Sequence, residues 1–409
     1  MQVNTIDICS NLSPELRLLL LCSNIKNRDK NLDAINKLTS FKFDWSLFTH
    51  LAIHHRVYPQ AYNYLSKIAY PVVPKNVISA LAKLDQDNKS NTLRVVTESI
   101  RILRAMDQCG IRVIVLKGFP LAQQLYGDIT LRTSRDLDLL ISPEDIGETR
   151  KIIEMRGYIW SQSVAKITSV DLEKWMKLEK NFEYWHPKLG VSVEVHWRLD
   201  CRGMDLPMNI IENNLTSMKM FGQSINMLGK EELLLYLVIH GAIHAWFRVK
   251  WLLDIDVLIK KGEFSWAKVY QLADNFGVKS ILNQTLFLVR ELFETSLPKA
   301  VTNKVDADIQ AQVLAIMGLR FITDSHFNTT KSIKEKIIFL CRQKNYEFRL
   351  NDGWRRQLSC IGRYFSPTNE DLELISLSGH LYFFYYIISP FTWFYRRTRN
   401  VMRNVLRGL

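Results

Sequence analysis

The stretch VLKGFPLAQQLYGDITLRTSRDLDLLI, residues 115–141, changes character twice in a short span. An apolar, β-branched run ends at Lys117-Gly118, a helix-like segment follows, and a second apolar run carries Asp136 and Asp138. Side chains at i and i+2 share one face of a strand, so these two carboxylates stand side by side, with Cα atoms about 6.5–7 Å apart. Neighbouring carboxylates repel unless a cation or a proton lies between them. Leu137 and Leu139 face the opposite way and supply the burial that a strand needs.

Working outward, residues 111–116 (IRVIVL) read as a buried strand and 119–126 as a short helix. Residues 136–141 form the second strand, and Ser142-Pro143-Glu144 opens a helix that stops at Gly157. Residues 182–199, FEYWHPKLGVSVEVHWRL, alternate in two runs around Lys188-Leu189-Gly190, the pattern of a hairpin. In the second run Val193, Val195 and Trp197 face one side, while Glu194 and His196 face the other.

Three carboxylates on adjacent strands suit Mg²⁺, which takes oxygen ligands and shares its shell with substrate phosphates. Two such ions about 3.5–4 Å apart can activate an attacking hydroxyl and stabilise a leaving phosphate. Lys117-Gly118, at a strand-to-helix turn, suits a phosphate: glycine admits close backbone approach and lysine neutralises charge. Arg132 and Arg135 offer bidentate contacts just before the aspartates. A lone D-x-D also occurs on solvated strands, and Glu194 as a solvated hairpin residue or Lys117 as a surface lysine is the lesser alternative. The order of all these features along the chain is what points to a metal–phosphate site.

The chain has 409 residues, 47% hydrophobic and 23% charged, an ordinary globular balance. No apolar run reaches the roughly 18 residues of a membrane span. The N-terminus lacks a basic leader and a small-residue cleavage site, so no signal peptide is expected. Six scattered cysteines without a C-x-x-C pair argue against a disulfide scaffold or zinc ribbon and for reduced thiols in a cytoplasmic protein. A net charge of +13 favours polyanions without choosing among them.

Residues 13–85 read as helices, with a break at Pro59. Residues 91–109 form a further amphipathic helix with Gly110 at its C-terminal cap, and the chain is helical again from 230. The expected class is α+β, a small mixed-sheet core flanked by N-terminal and C-terminal helical regions. The expected regions are 1–90 (helical), 91–215 (core), 216–375 (helical) and 376–409 (an aromatic and basic tail).

His240 and His244 share a helical face, but Gly241 stands where a zinc peptidase needs its glutamate. With Trp246, Arg248 and Asp254 they read as a polar network joining helical region to core, placed to support a base or an acceptor. His54-His55-Arg56 reads as structural. The tail at 381–409 has the composition of a membrane-surface segment, a partner contact or a packed helix.

Strand, glycine turn, helix, D-x-D strand and third acidic strand together resemble the DNA polymerase β-like nucleotidyltransferase superfamily. More narrowly, the chain resembles the bacterial family described as uncharacterised nucleotidyltransferase. DWSLFTHLAIHHRVYP (44–59), GIRVIVLKG (110–118), LRTSRDLDLLI (131–141), MRGY (155–158), VSVEVHWRL (191–199) and HGAIHAWFRVKWLLDIDVLI (240–259) carry the resemblance. It implies Asp136, Asp138 and Glu194 as catalytic metal ligands for Mg²⁺ or Mn²⁺. It also implies an NTP donor such as ATP, with Lys117 and Gly118 where the superfamily has a Gly-Ser turn. The expected activity moves a nucleoside monophosphate to an acceptor and releases pyrophosphate. The acceptor stays open among small molecule, peptide, lipid and RNA. An RNA- or tRNA-modifying, toxin-like enzyme is one alternative. A non-catalytic module docking on a partner or on the inner membrane face is another.

Overall fold

The computed structural model describes residues 12–23, 32–40, 42–68, 72–161, 176, 179–199, 207–324, 333–351, 357–358, 384–389, 391–392 and 395. Four short helices open it: α1 (Pro14–Ser23), α2 (Leu32–Thr39), α3 (Trp45–His54) and α4 (Tyr58–Leu65). Asp44 caps α3 by accepting from the backbone N–H groups of Ser46 and Leu47, both at 2.9 Å. Pro59 falls in the first turn of α4, so the chain breaks just before it. Helix α5 (Lys75–Gln108) is one continuous helix that takes in the predicted 91–109 segment. It closes where Gly110 (φ +72°) lets the Ile111 N–H return to the Met106 carbonyl at 2.9 Å.

The sheet follows: β1 (Ile114–Val115), α6 (Phe119–Tyr126), β2 (Asp136–Leu140), α7 (Ile146–Met155), β3 (Ile159–Trp160), β4 (Asn181–His186) and β5 (Val191–His196). Helix α8 (Met208–Glu212) leads to β6 (Thr216–Met220) and β7 (Gln223–Met227). The strand order is β3-β4-β5-β2-β1-β7-β6. Strands β2 and β5 run parallel, as do β1 and β7; the other neighbours are antiparallel. The β6–β7 hairpin carries the sheet past residue 215 to Met227. Its turn, Phe221-Gly222, has positive φ at both residues (51° and 73°), as a two-residue hairpin turn requires. Strand β1 is shorter than the predicted 111–116 run. The Asn226 side chain donates to the Val113 carbonyl at 3.3 Å.

The remaining helices are α9 (Lys230–Ile243), α10 (Val249–Lys261), α11 (Trp266–Asn275), α12 (Lys279–Phe293), α13 (Lys299–Ala307), α14 (Ile309–Thr323) and α15 (Ile333–Arg349). The architecture is α+β, a seven-stranded mixed sheet with helical regions on either side in the sequence. Strand alternation divides the interior into two cores. Val115, Leu137, Leu139, Val193, Val195, Phe182 and Tyr184 pack with residues of α5 and α7. On the other face, Ile114, Leu116 and Leu140 join the large core built from α1, α3, α4 and the helices after α8. Asp136 and Asp138 alternate with the first set, so they stand on the second face, toward the flanking helices. No described helix is long and apolar enough to cross a membrane. Most of the 381–409 tail lies outside the described residues.

Candidate active site

The parallel register of β2 and β5 pairs Asp136 with Ser192, Asp138 with Glu194 and Leu140 with His196. Paired residues project to one face, so Asp136, Asp138, Glu194 and His196 share a single surface. Strand β4 extends it: Asn181 pairs with His196, Glu183 with Glu194 and Trp185 with Ser192.

Asp138 is fully buried, and neither carboxylate oxygen accepts a hydrogen bond. The Lys117 ammonium lies 3.1 Å from Asp138 Oδ1 and 3.9 Å from Asp136 Oδ2. His196 Nε2 sits 3.2 Å from Glu194 Oε2 and 3.6 Å from Asp138 Oδ1, and Asn181 Nδ2 donates to Glu194 Oε2 at 3.2 Å. One ligating atom from each of Asp138, Glu194 and His196 lies within 4.8 Å of the others. Asp136 stands at the rim, its side chain one-third exposed, with Ser134 Oγ donating to its backbone carbonyl at 3.2 Å.

Electrostatics follows from this crowding. Burial works against the Lys117 charge, yet the carboxylates of Asp138 and Asp136 outweigh it and hold the ammonium protonated well above its ordinary range. Burial likewise pushes Asp136 up, but Lys117, Lys250 and Arg132 together hold it well below the usual carboxylate range. Glu194 also lies low against the cost of burial, through its contact with His196 and the field of Lys117. Gly118 adopts φ +85° at the start of α6, a conformation that favours glycine.

A family model described as uncharacterised nucleotidyltransferase matches residues 42–294. The chain belongs to that family. Comparison with curated proteins and with solved structures finds no match. The span matched by the nucleotidyltransferase model contains every residue of the acidic cluster, Lys117 and the helices that face them.

Within this family member, the remaining predicted residues divide by location. Arg132 Nε donates to Asp254 at 2.9 Å in a buried pair, and Tyr126 Oη donates to the same carboxylate at 2.9 Å. That pair ties α10 to the segment before β2 and reaches the site through its field on Asp136. The rings of His240 and His244 lie 4.8 Å apart, and His244 stacks on Trp251 at 5.1 Å. Burial and Lys117 keep His240 neutral, well below the ordinary histidine range. Arg248 lies over the Phe247 ring at 5.1 Å.

One neighbour of the site, Arg56, was read from the sequence as structural. Arg56 adopts left-handed φ (57°) after α3, and its guanidinium feels Arg135 and Asp136. The corner that carries it is pinned to α10: His54 Nε2 lies 3.1 Å from the Phe247 carbonyl, and the Val249 N–H donates to His55 Nδ1 at 3.3 Å. The signal available was a cationic residue at a helix end, just before Val57-Tyr58-Pro59, which by itself fits many surface turns.

Proposed function

We propose that this chain is a divalent-metal-dependent nucleotidyltransferase that moves a nucleoside monophosphate from an NTP to an acceptor and releases pyrophosphate. The observation that carries the reading is Asp138, a buried carboxylate with two unsatisfied oxygens, opposite Glu194 in the strand register. A buried carboxylate that accepts no hydrogen bond is costly unless cations answer its charge. Lys117 answers one of the three negative charges on Asp136, Asp138 and Glu194, which leaves a balance that a divalent ion fits. Asp136, Asp138 and Glu194 would hold Mg²⁺ through oxygen; His196, beside Glu194, also suits Mn²⁺. The bound ion supplies charge neutralisation of the polyphosphate and lowers the pKa of the attacking oxygen.

In the transfer an acceptor oxygen bonds to the α-phosphorus, and the bond between that phosphorus and the α–β bridging oxygen breaks. The leaving oxygen departs with pyrophosphate, and the acceptor proton passes to the Glu194–His196 pair. Lys117 and the Gly118 turn face the polyphosphate, and Arg135 adds positive charge beside Asp136. Positioning and charge neutralisation account for most of such a rate enhancement. The test is Mg²⁺- or Mn²⁺-dependent pyrophosphate release with each NTP. Asp138→Asn is expected to abolish it while the circular dichroism spectrum stays unchanged. Undiminished turnover in that variant would refute the assignment.

A further inference from the structure

Far from the acids in the sequence, one helical stretch is turned inside out. Residues 384–389, 391, 392 and 395 are helical. Tyr385, Ser389 and Thr392 recur at helical spacing, so they share one face, and all three are buried. Phe384, Ile387, Phe391 and Tyr395 recur at the same period on another face, and they are 40%, 57%, 73% and 53% exposed. The two small hydroxyl residues thus lie on the covered side and the large apolar residues on the open side. Burial of Thr392 costs little, because its Oγ1 donates to the Ser389 carbonyl at 2.9 Å within the same helix.

A surface that stays in water shows large apolar residues singly, whereas a contiguous apolar stripe marks a contact. The charge of the adjoining sequence says what the contact is. From Leu374 to Leu409 the chain has no Asp or Glu, and Arg396, Arg397, Arg399, Arg403 and Arg407 follow directly on Tyr395. A second copy of this face would bring the same uncompensated arginines together, like against like. A soluble polyanion would answer the arginines and leave Ile387 and Phe391 in water. A bilayer surface with anionic lipid answers both, because apolar side chains enter the interface while arginines meet headgroup phosphates.

Composition agrees with that choice. Nine of the fifteen residues in LYFFYYIISPFTWFY (381–395) are aromatic, and Trp and Tyr settle at the headgroup level of a bilayer. The run is shorter than the roughly 20 residues that span a bilayer, so it lies on the surface and does not cross it.

We propose that residues 381–409 bind an anionic lipid surface, with the face formed by Phe384, Ile387, Phe391 and Tyr395 in the interface and the five arginines on the lipid phosphates. The proposal rests on no part of the nucleotidyl-transfer reading, and either can fail without the other.

Co-sedimentation of the full chain with two kinds of vesicle tests it: phosphatidylcholine alone, and phosphatidylcholine mixed with phosphatidylglycerol. The native protein is expected to bind the mixed vesicles at least about tenfold more tightly, since each arginine near an anionic surface is worth roughly fivefold. Ile387→Ser/Phe391→Ser is expected to weaken that binding about tenfold or more at unchanged Tm, because both side chains are exposed in the folded protein. Arg396→Gln/Arg397→Gln/Arg399→Gln is expected to remove most of the preference for phosphatidylglycerol. Absence of vesicle binding by the native protein, or binding unchanged in the Ile387/Phe391 variant, overturns the proposal. A dimer in lipid-free buffer that the Ile387/Phe391 variant dissociates also overturns it, because a second copy then covers the face. Tight binding of single-stranded RNA without vesicle binding overturns it in favour of a soluble polyanion.

Discussion

Asp138 and Glu194 face each other across two parallel strands, and the Lys117 ammonium meets the first of them at 3.1 Å. The strands therefore bring like charges together on a surface that is partly covered by helices. Such an arrangement is stable only with cationic support, and the chain itself supplies part of it.

Lys117→Met removes that support and leaves Asp136 and Asp138 crowded without it. Breaking a buried charge pair from one side costs about 3–5 kcal/mol. The variant is expected to unfold at lower urea in EDTA and to recover much of the loss in millimolar Mg²⁺ or Mn²⁺. Equal loss with and without metal would show that the lysine acts only through packing.

The Arg132–Asp254 pair is buried and also anchors Tyr126. Asp254→Leu alone leaves an uncompensated guanidinium and is expected to cost about 3–5 kcal/mol. The double variant Arg132→Met/Asp254→Leu is expected to regain a substantial part of it. A double-mutant cycle in urea measures the coupling; strict additivity would mean that the two side chains act independently.

Gly241 lies on α9 against the ring of Trp246, which is fully buried; a Cβ there would clash with Trp246 Cζ3. Ala245 and Trp246 both hold positive φ (51° and 57°), so the ring has little freedom to retreat. Gly241→Ala is expected to destabilise by about 1–3 kcal/mol, despite the higher helix propensity of alanine. Thermal unfolding at constant pH reads this directly, and a gain in Tm would contradict it.

His55 gives stability a pH dependence. Burial, then the neighbouring His54, pull its pKa down to about 3, and its Nδ1 accepts the Val249 N–H. The folded state thus binds the proton more weakly than the unfolded chain, whose histidine titrates near 6.5. The contribution is full above that value and declines as pH falls toward 3, by up to about 1.4 kcal/mol per unit. His55→Gln is expected to flatten that slope between pH 6.5 and 4. Denaturation midpoints at several pH values test it; parallel curves for variant and native protein would remove His55 from the explanation.

Much of the site was legible because its pieces are local. Alternation in DLDLLI and VSVEVHW placed Asp136, Asp138, Glu194 and His196 on the strand faces opposite to Leu137, Leu139, Val193 and Val195, as the structure has them. The 119–126 helix and the hairpin turn at Gly190 (φ +64°) followed from equally short signals. The β6–β7 hairpin did not. Its run TSMKMFGQSINM is polar and methionine-rich, and its place beside β1 comes from pairing across more than a hundred residues.

What the sequence by itself determined was therefore the kind of chemistry: which side chains a strand or turn would present, since side-chain direction is a property of backbone period alone. Only the tertiary structure decided that Asp138 lies opposite Glu194 and not a neighbour, that Arg132 is bound to Asp254, and that Arg56 comes to Arg135. Those relationships depend on strand register and on how helices dock, both set by burying apolar surface between distant segments. No local period encodes them.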